Sequence, residues 1–336
     1  MSKIAAAIIG FGYWGPNLYR NISHSKHFEL KAIIDSDENK LTKISEQRPD
    51  LVFSSQLTEK IIENTQAFFI ATPAITHFNL ANELLRMKKH VWIEKPVSSS
   101  IDEIQDLVES AEYSEVVAVA DHTYAFAPAV LHIKEIISKG LIGDVLYVHS
   151  VRSNLGIFQP DVSVIWDLAI HDLSILSEII PSSDWLSVSC TVGNPLQGPT
   201  DSIADITLKT SKNQYFSIHI NWLSPIKIRQ MVIGGSNASV IFDDLQMFEK
   251  VKITRQSFEV STENDRKIAA VSYSLGDSTI PRLPSAEPLS TGIDHFALTI
   301  KDGKWNTNSL ANVIGIYRVL EKAQLSSTLG GKEMKL

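Results

Sequence analysis

Short apolar runs alternate with amphipathic stretches along the first third of the chain. The later runs are separated by helical stretches, and in one of these Ser100 is followed three residues on by Glu103, which predicts a capping box. The runs are nearly continuous in apolar residues, as is typical of strands covered on both faces. This alternation predicts a doubly wound parallel sheet. The six candidate strands are KIAAAIIG, FELKAIID, DLVFSS, AFFIAT, HVWIE and VVAVA.

The pattern changes after Asp121. A helical segment, PAVLHIKEIISKG, precedes the strand VLYVHSVRS, and a second helix is predicted over roughly residues 164–180. The following strands alternate apolar and polar positions, which favours an antiparallel sheet with one covered face. Two more helical segments end the chain. The sequence therefore predicts an α/β protein with a first domain over residues 1–121 and an α+β domain, built on a large and mostly antiparallel open sheet, over residues 122–336.

Composition narrows the function classes. A length of 336 residues fits two domains. The net charge of -7, without a long Lys/Arg run, argues against nucleic acid as a partner. A small anion such as a phosphate group remains a possible ligand, because a few local hydrogen-bond donors can bind it even in an acidic protein. Cys190 is the single cysteine, so neither an internal disulfide nor a cysteine-based metal site is expected. The apolar start is interpreted as a buried strand, and no stretch approaches the ~20 apolar residues of a membrane span. A cytoplasmic protein is predicted.

The segment GFGYWGPNL joins the first strand to a helix and has the G-x-G-x-x-G spacing of dinucleotide-binding loops. Gly10 permits the tight turn, Gly12 admits the pyrophosphate, and Gly15 lets helix and strand pack closely. Pro16 falls in the first helical turn, where its missing N–H costs nothing. We therefore predict a pyrophosphate site at this helix N-terminus. The predicted cofactor-binding residues of the loop are Gly10, Phe11, Gly12, Tyr13, Trp14 and Gly15.

An acidic residue ends the second strand at the distance expected for a ribose-binding carboxylate. This residue is Asp35, and Ser36 and Asp37 follow where an NADP-binding protein often places a cation. The sequence thus favours NAD over NADP. Two alternatives stay open at this point: a structural βαβ turn with an acidic strand end, and a methyltransferase loop for S-adenosylmethionine.

Polar residues follow the fourth and fifth strands, at the sheet edge where ligands bind. Glu94, Lys95 and Pro96 end the fifth strand, and Lys95 is suited to hydrogen-bond a substrate hydroxyl. The alternative is a surface ion pair between Lys95 and Glu94. After the fourth strand, Thr72, Pro73 and His77 are predicted to contact the cofactor, although His77 also fits a surface position at a helix start. Glu94 and Lys95 are included among the predicted cofactor-binding residues.

A second candidate group lies in the second domain. Asp167 and His171 are four residues apart on a predicted helix and share one face, so the imidazole has a carboxylate partner for taking a hydroxyl proton. The alternative is that this face, which continues through Ser174 and Glu178, is simply solvated. No third ligand has a suitable spacing, so no metal site is predicted. Beyond the strand VLYVHSVRS, Arg152 and Asn154 are predicted to bind substrate.

Taken together, these motifs resemble the Gfo/Idh/MocA family of NAD(P)-dependent oxidoreductases along essentially the whole chain. The resemblance rests on GFGYWGPN, ATPAITH, EKP, GLIGDV and WDLAIHD in the family's order. It implies a Rossmann domain, a C-terminal open-sheet domain, homodimers or homotetramers packed through that sheet, and hydride transfer at a ring carbon of a sugar or cyclitol. The family's catalytic positions correspond to Lys95, Asp167 and His171.

Within the family, GYWGPNL, HTYAFAPAV, VRSNLG and WDLAIHDLSIL are most similar to a branch associated with nucleotide-sugar modification, which includes UDP-N-acetylglucosaminuronate 3-dehydrogenases. The chain departs from that branch at Ala169–Ile170, where glycine or alanine precedes proline, and at Ala127, where asparagine is usual. These departures leave the exact sugar open.

The leading hypothesis is oxidation of a secondary ring hydroxyl, with C3 as a candidate position, of a nucleotide-linked amino sugar or uronic acid. His171 would act as the base, Asp167 as its partner, and Lys95 would orient the reacting oxygen. One alternative is a dehydrogenase or ketoreductase for a free sugar, inositol or keto sugar. Another is a non-catalytic NAD-binding sensor.

Overall fold

The computed structural model describes residues 2–156, 162–259, 272–304 and 306–336. The chain forms two compact units. The first comprises residues up to Ala127 together with Ala286–Tyr317, and the second comprises Pro128–Ser285 with Arg318–Leu336. The boundary predicted at Asp121 falls shortly before the end of the first segment. The sequence did not indicate that a later segment, Ala286–Tyr317, rejoins the first unit.

The first unit is built on a six-stranded parallel sheet, as predicted. Its strand order is β3-β2-β1-β4-β5-β6, the doubly wound order of dinucleotide-binding domains, in which the strand order reverses between β1 and β4. All of β4, β5 and β6 is buried or nearly so, which explains their continuous apolar sequence. The strands are β1 (Ile4–Ile9), β2 (Phe28–Ile34), β3 (Val52–Ser54), β4 (Ala67–Ile70), β5 (His90–Ile93) and β6 (Ala118–Ala120).

Helices cover this sheet, and one of them comes from late in the chain. The helices are α1 (Gly15–His24), α2 (Glu38–Gln47), α3 (Glu59–Glu63), α4 (His77–Arg86), α5 (Ile101–Ser114) and α8 (Pro288–Asp302). The predicted N-cap of α5 is present, because Ser100 Oγ accepts from the Glu103 N–H. In α8, Phe296 is fully buried and packs against Phe28, Phe69 and Trp92 of the sheet. This aromatic cluster fixes α8 to the first unit.

The second unit contains a nine-stranded sheet in the order β14-β13-β12-β11-β7-β10-β9-β8-β15. Strands β10 and β7 pair in parallel, and the other neighbouring pairs are antiparallel, which confirms the predicted mostly antiparallel sheet. Its strands are β7 (Val145–Ser153), β8 (Trp185–Gly193), β9 (Ile203–Thr210), β10 (Tyr215–Asn221), β11 (Ile228–Gly235), β12 (Ala238–Asp243), β13 (Val251–Glu259), β14 (Ser272–Thr279) and β15 (Met334–Lys335). Helices α6 (Pro128–Ser138) and α7 (Ile170–Ile179) belong to this unit, and α9 (Leu310–Thr328) begins in the first unit and ends in the second.

The predicted helix over residues 164–180 differs from a regular α-helix. Residues Ile165–Ala169 form one π-helical segment that leads directly into α7. The interpretation of its polar stripe as a solvated face is wrong, because Ser174 and Glu178 are buried. Glu178 accepts a hydrogen bond from Lys134 of α6 at 2.7 Å. Its carboxylate is therefore paired with a neighbouring helix and not with solvent. In the part of the chain that the structure describes, no helix is long and apolar enough to cross a membrane.

Candidate active site

The glycine loop lies between the carboxyl end of β1 and the start of α1. Gly10 has a φ of 96°, and a Cβ there would lie 2.4 Å from the Ala71 carbonyl oxygen. A Cβ on Gly15 would lie 2.7 Å from the Gly10 carbonyl oxygen. A Cβ on Gly12 would meet nothing within 4 Å. Two glycines are therefore required by the fold itself, whereas Gly12 leaves open space beside the backbone, as a pyrophosphate cradle requires.

Asp35 follows β2 and is tied to the glycine loop. Its Oδ2 accepts the Phe11 N–H at 2.6 Å, and its Oδ1 accepts the Asp37 N–H at 2.9 Å. Lys40 Nζ lies 3.4 Å from Oδ1. Burial opposes the charged form, but the backbone donors of Asp37 and Phe11, together with Lys40, hold the pKa of Asp35 below its usual value. Asp35 is thus an ionised acceptor beside the loop, and with the open space at Gly12 it fits the ribose and pyrophosphate of NAD.

Two aromatic residues of the loop have different surroundings. The Tyr13 side chain is 90% exposed. The Trp14 indole N–H donates to Asp121 Oδ2 at 3.2 Å, which joins the loop to the residue directly after β6. Asp121 itself is only 3% exposed. Asp121 was predicted only as a domain boundary, although its position at the carboxyl end of a parallel strand is typical of functional residues.

His77 connects two segments at the ligand edge of the sheet. It is 1% exposed, so the surface interpretation of this histidine is wrong. Its Nδ1 lies 2.8 Å from the Pro96 carbonyl oxygen, and its Nε2 lies 2.8 Å from the Thr72 carbonyl oxygen. Burial lowers the pKa of His77, against the effect of the two carbonyl groups. The ring holds together the segments that carry Thr72 and Pro73 on one side and Lys95 and Pro96 on the other.

Glu94 and Lys95 directly follow β5. The Lys95–Pro96 peptide bond is cis, and Lys95 N–H donates to Glu94 Oε2 at 3.3 Å. Glu94 Oε1 is buried. Burial raises the pKa of Glu94 well above its usual range, and the nearby Asp121 adds to this shift. This shift favours the protonated form of the Glu94 carboxyl group.

In the second unit, Asp167 lies in the π-helical segment and His171 in the first turn of α7. Asp167 Oδ2 accepts the Trp222 indole N–H at 3.0 Å. A Cβ on Gly156 would lie 2.7 Å from Trp222 Cδ1, so this glycine lets the chain after β7 pass close over the indole. Trp222 was not identified from the sequence. It is a buried apolar residue at a strand end, and only the structure shows which carboxylate its N–H reaches.

Arg152 and Asn154 occupy the end of β7. Arg152 is buried, and its Nε donates to Asp172 Oδ2 at 2.7 Å, while Ser150 Oγ donates to Asp172 Oδ1 at 2.7 Å. Arg152 therefore joins β7 to α7, and its assignment as a substrate ligand stays a prediction. Asn154 N–H donates to the Asn221 carbonyl oxygen at 3.0 Å, and its side chain is half-buried. Among the residues that the structure describes, no group of three or more His, Cys, Asp or Glu side chains is arranged to hold a metal.

The fold order, the glycine loop and Asp35 define a dinucleotide-binding domain of the oxidoreductase class. Residues 4–122 match the family model GFO_IDH_MocA, described as an oxidoreductase family with an NAD-binding Rossmann fold. This part of the chain is similar to the NAD-binding domain of the Gfo/Idh/MocA family, as the sequence motifs predicted, and NAD is its cofactor.

Curated relatives match part of the chain at low sequence identity. An uncharacterised oxidoreductase of Streptococcus pneumoniae is 30% identical over 46% of this chain and 42% of its own length. The Escherichia coli 2,7-anhydro-N-acetylneuraminate hydratase is 26% identical over 74% of this chain and 70% of its own. The UDP-N-acetylglucosamine 3-dehydrogenase of Acidithiobacillus ferrooxidans is 25% identical over 52% and 54%. The chain thus spans about half the length of most of these relatives.

Solved structures share the whole fold. GenD2 of gentamicin A biosynthesis, in complex with NAD, superposes with a TM-score of 0.82 at 16% identity, covering 100% of this chain and 97% of that one. The aldose-aldose oxidoreductase of Caulobacter crescentus, complexed with glycerol, gives a TM-score of 0.83 at 16% identity, with both chains fully covered. At these identities the likeness shows the fold alone.

Proposed function

We propose that the chain is an NAD-dependent dehydrogenase that oxidises a secondary ring hydroxyl, with C3 as the candidate position, of a nucleotide-linked amino sugar or uronic acid. The observation that carries the proposal is the position of Lys95 directly after β5, at the edge of a sheet whose β1 end carries the NAD loop. The nucleotide-sugar substrate is supported by the sequence motifs and by the distant 3-dehydrogenase relative.

In the proposed reaction NAD, held by the glycine loop and Asp35, would supply the acceptor for a hydride from the carbinol carbon. Lys95 donates a hydrogen bond to the reacting oxygen and orients it. His171 takes the hydroxyl proton as the C–O bond becomes a carbonyl, so that the substrate loses one hydride and one proton in total. Asp167, held by the Trp222 indole N–H, is the carboxylate partner of His171. The assignment of these three catalytic residues, and of Arg152 and Asn154 to substrate binding, belongs to this proposal.

A substrate panel tests the reaction. UDP- and dTDP-sugars, inositols, free sugars and keto sugars would be incubated with NAD or NADH, with absorbance of NADH and product mass both recorded. We expect NADH formation with a UDP-amino sugar or UDP-uronic acid. Because one relative is named as a hydratase, the panel includes an anhydro sugar acid, whose conversion without net NADH would overturn the dehydrogenase assignment. Binding of NADH without turnover of any compound would indicate a sensor.

Single variants test the residue roles. Lys95→Ala and His171→Ala should each lower kcat by roughly 10²–10⁴-fold, because each removes a group that handles the hydroxyl proton or oxygen. The dissociation constant of NAD, measured by fluorescence titration, is the control and should change little in both. Near-normal turnover in either variant would contradict the role given to that residue.

We also propose that copies of the chain associate through the nine-stranded sheet. Along β7 and β10 the buried positions alternate with exposed ones, which include Tyr147 and Tyr215. The sheet thus presents a row of side chains that a second copy would cover. Light scattering on purified protein should give a dimer or tetramer mass, and Tyr147→Lys with Tyr215→Lys should shift it to the monomer. A monomer in the unmodified protein would contradict this proposal.

A further inference from the structure

Two carboxyl groups occupy neighbouring strand ends in the first unit. Strands β5 and β6 pair in parallel with Ile93 opposite Ala120, so Glu94 and Asp121 are the next residues along the two strands. The backbone continues this register, because Asp121 N–H donates to the Ile93 carbonyl oxygen at 2.7 Å. Topology therefore places the half-buried Glu94 beside the buried Asp121, and Glu94 directly precedes Lys95 in the chain.

Each carboxyl group has one oxygen with a donor and one without. Lys95 N–H donates to Glu94 Oε2, and the Trp14 indole donates to Asp121 Oδ2. Glu94 Oε1 and Asp121 Oδ1 are buried and receive no donor from the described residues. Ionised carboxylate oxygens only accept, so a hydrogen bond between these two groups requires a proton on one of them. Two buried anions in contact would also repel each other strongly.

The surroundings decide which group holds the proton. Asp121 accepts the Trp14 indole N–H, and this bond favours its ionised form. Burial and the neighbouring Asp121 carboxylate raise the pKa of Glu94, and Lys95 opposes the shift without reversing it. Burial also raises the pKa of Asp121, but the neighbouring Glu94, the Trp14 indole N–H and the charge of Lys95 act against that shift.

The other polar groups of this cluster are uncharged near neutral pH. Burial, with the charge of Lys95, lowers the pKa of His122 to about 3. Its Nε2 lies 3.1 Å from the Tyr317 hydroxyl, which also accepts the Val97 N–H at 3.2 Å. Burial raises the pKa of Tyr317, so the phenol keeps its proton. Lys95 is accordingly the cation that faces the acidic pair.

We propose that Glu94 and Asp121 share one proton, with Glu94 as the neutral donor and Asp121 as the anion, and that this pair positions Lys95. The pair then carries a single negative charge, which matches the single positive charge of the Lys95 ammonium group. The positioning role rests on the proposed function, in which Lys95 contacts the reacting oxygen. Since Asp121 is also bonded to Trp14, the same anion connects Lys95 to the NAD loop. Glu94 and Asp121 are positioning residues that act through Lys95.

Infrared spectroscopy of the full-length chain tests the shared proton without any turnover. At neutral pH the difference spectrum between the unmodified protein and Glu94→Gln should contain the carbonyl stretch of a protonated carboxylic acid. Absence of that band would overturn the proposal, because it would mean that Glu94 is ionised. If the substrate panel and the Lys95→Ala variant contradict the dehydrogenase assignment, this spectrum still reports whether Glu94 is protonated. Failure of the proposed function and failure of the shared proton are therefore distinguishable.

A pair of isosteric variants tests the positioning role. Glu94→Gln keeps a neutral donor at Glu94, whereas Asp121→Asn removes the only negative charge of the pair. We expect kcat to fall at least about tenfold further in Asp121→Asn than in Glu94→Gln, with KM for the sugar less affected than kcat. Asp121→Asn should also move the pH at which kcat is half-maximal. Equal losses in the two variants, or loss of kcat without a change in the pH profile of Asp121→Asn, would contradict the asymmetry.

Trp14→Phe separates the indole bond from the charge. It removes the N–H that Asp121 accepts and keeps both carboxyl groups. We expect a smaller loss of kcat than in Asp121→Asn, since the negative charge remains. A loss as large as that of Asp121→Asn would assign the effect to the loop rather than to the carboxyl pair, and would overturn the inference.

Discussion

At the scale of single residues, the three loop glycines are needed for different physical reasons. Gly10 has a left-handed φ and lies against the Ala71 carbonyl, and Gly15 lies against the Gly10 carbonyl. Gly12 is not packed against anything, since the space beside it is open. The motif spacing predicted all three positions equally. The structure separates the two that the fold requires from the one that a ligand requires.

Two alanine variants should separate these requirements. In Gly12→Ala the new methyl group occupies the open space, so we expect NAD affinity to fall at least about tenfold while the free energy of unfolding stays within about 0.5 kcal/mol. Gly15→Ala, with its Cβ 2.7 Å from a carbonyl oxygen, should lose about 1–3 kcal/mol of stability. Isothermal titration with NAD and urea denaturation measure the two quantities. A destabilised Gly12→Ala with normal NAD affinity would reverse this assignment.

Sequence position predicted which residues lie at the ligand edge but not which atoms they bind. Thr72, Asp35 and Lys95 were all identified because they follow parallel strands. The bond from Trp14 to Asp121 joins residues 107 positions apart, and no local periodicity reports such a contact. His77 was ambiguous for the same reason, because its burial depends on carbonyl groups of other segments.

At the scale of elements, the helix that carries Asp167 and His171 is buried on nearly all sides. The sequence indicated a polar stripe, and a stripe usually faces solvent. Here its members meet polar groups of other elements, including Lys134 of α6 and Trp222 after β10. The π-helical segment at Ile165–Ala169 also lies outside what a period of 3.6 residues predicts. π-helical segments are frequent at functional sites, which agrees with the candidate role of Asp167.

The buried pair of Arg152 and Asp172 should contribute strongly to holding α7 on the sheet. Arg152→Met leaves the Asp172 carboxylate buried without its cation, and we expect a loss of about 3–5 kcal/mol in the free energy of unfolding. Lys139→Met is the control, because Lys139 and Glu135 form an ion pair that is exposed on both sides, and it should cost at most about 1 kcal/mol.

Urea denaturation of the two variants and of the double variant Arg152→Met/Asp172→Leu measures these differences. The double variant should recover most of the loss, because it leaves no uncompensated charge. If instead Arg152→Met is no less stable than Lys139→Met while nucleotide-sugar binding is lost, Arg152 serves the substrate, as its sequence position predicted.

At the scale of the whole molecule, the sequence predicted both sheets and their classes but not the complete assignment of segments to units. Continuous apolar runs identify parallel strands, and alternating ones identify the antiparallel sheet, because each pattern reflects how many faces are covered. The amphipathic pattern of α8 shows that it has a partner surface. It does not show that this surface is the first sheet, where Phe296 joins an aromatic cluster.

The first unit contains two histidines whose pKa values lie well below neutral pH. Burial lowers the pKa of His122 to about 3 and that of His90 to about 4. The geometry at His90 agrees, because its Nδ1 accepts the Val117 N–H and therefore carries no proton. In the unfolded chain both titrate near their ordinary pKa of 6.5.

Stability should therefore fall as the pH is lowered below about 6.5. Between this pH and about 5 the unfolded chain binds up to two protons at these histidines that the native protein does not, and the raised pKa of Glu94 acts in the opposite direction. Two protons correspond to a slope of at most about 2.8 kcal/mol per pH unit. Urea denaturation across this range, followed by tryptophan fluorescence, measures the slope. His90→Asn, which keeps an acceptor for Val117, should reduce it by about one proton, and an unchanged slope would show that His90 is already protonated in the native state.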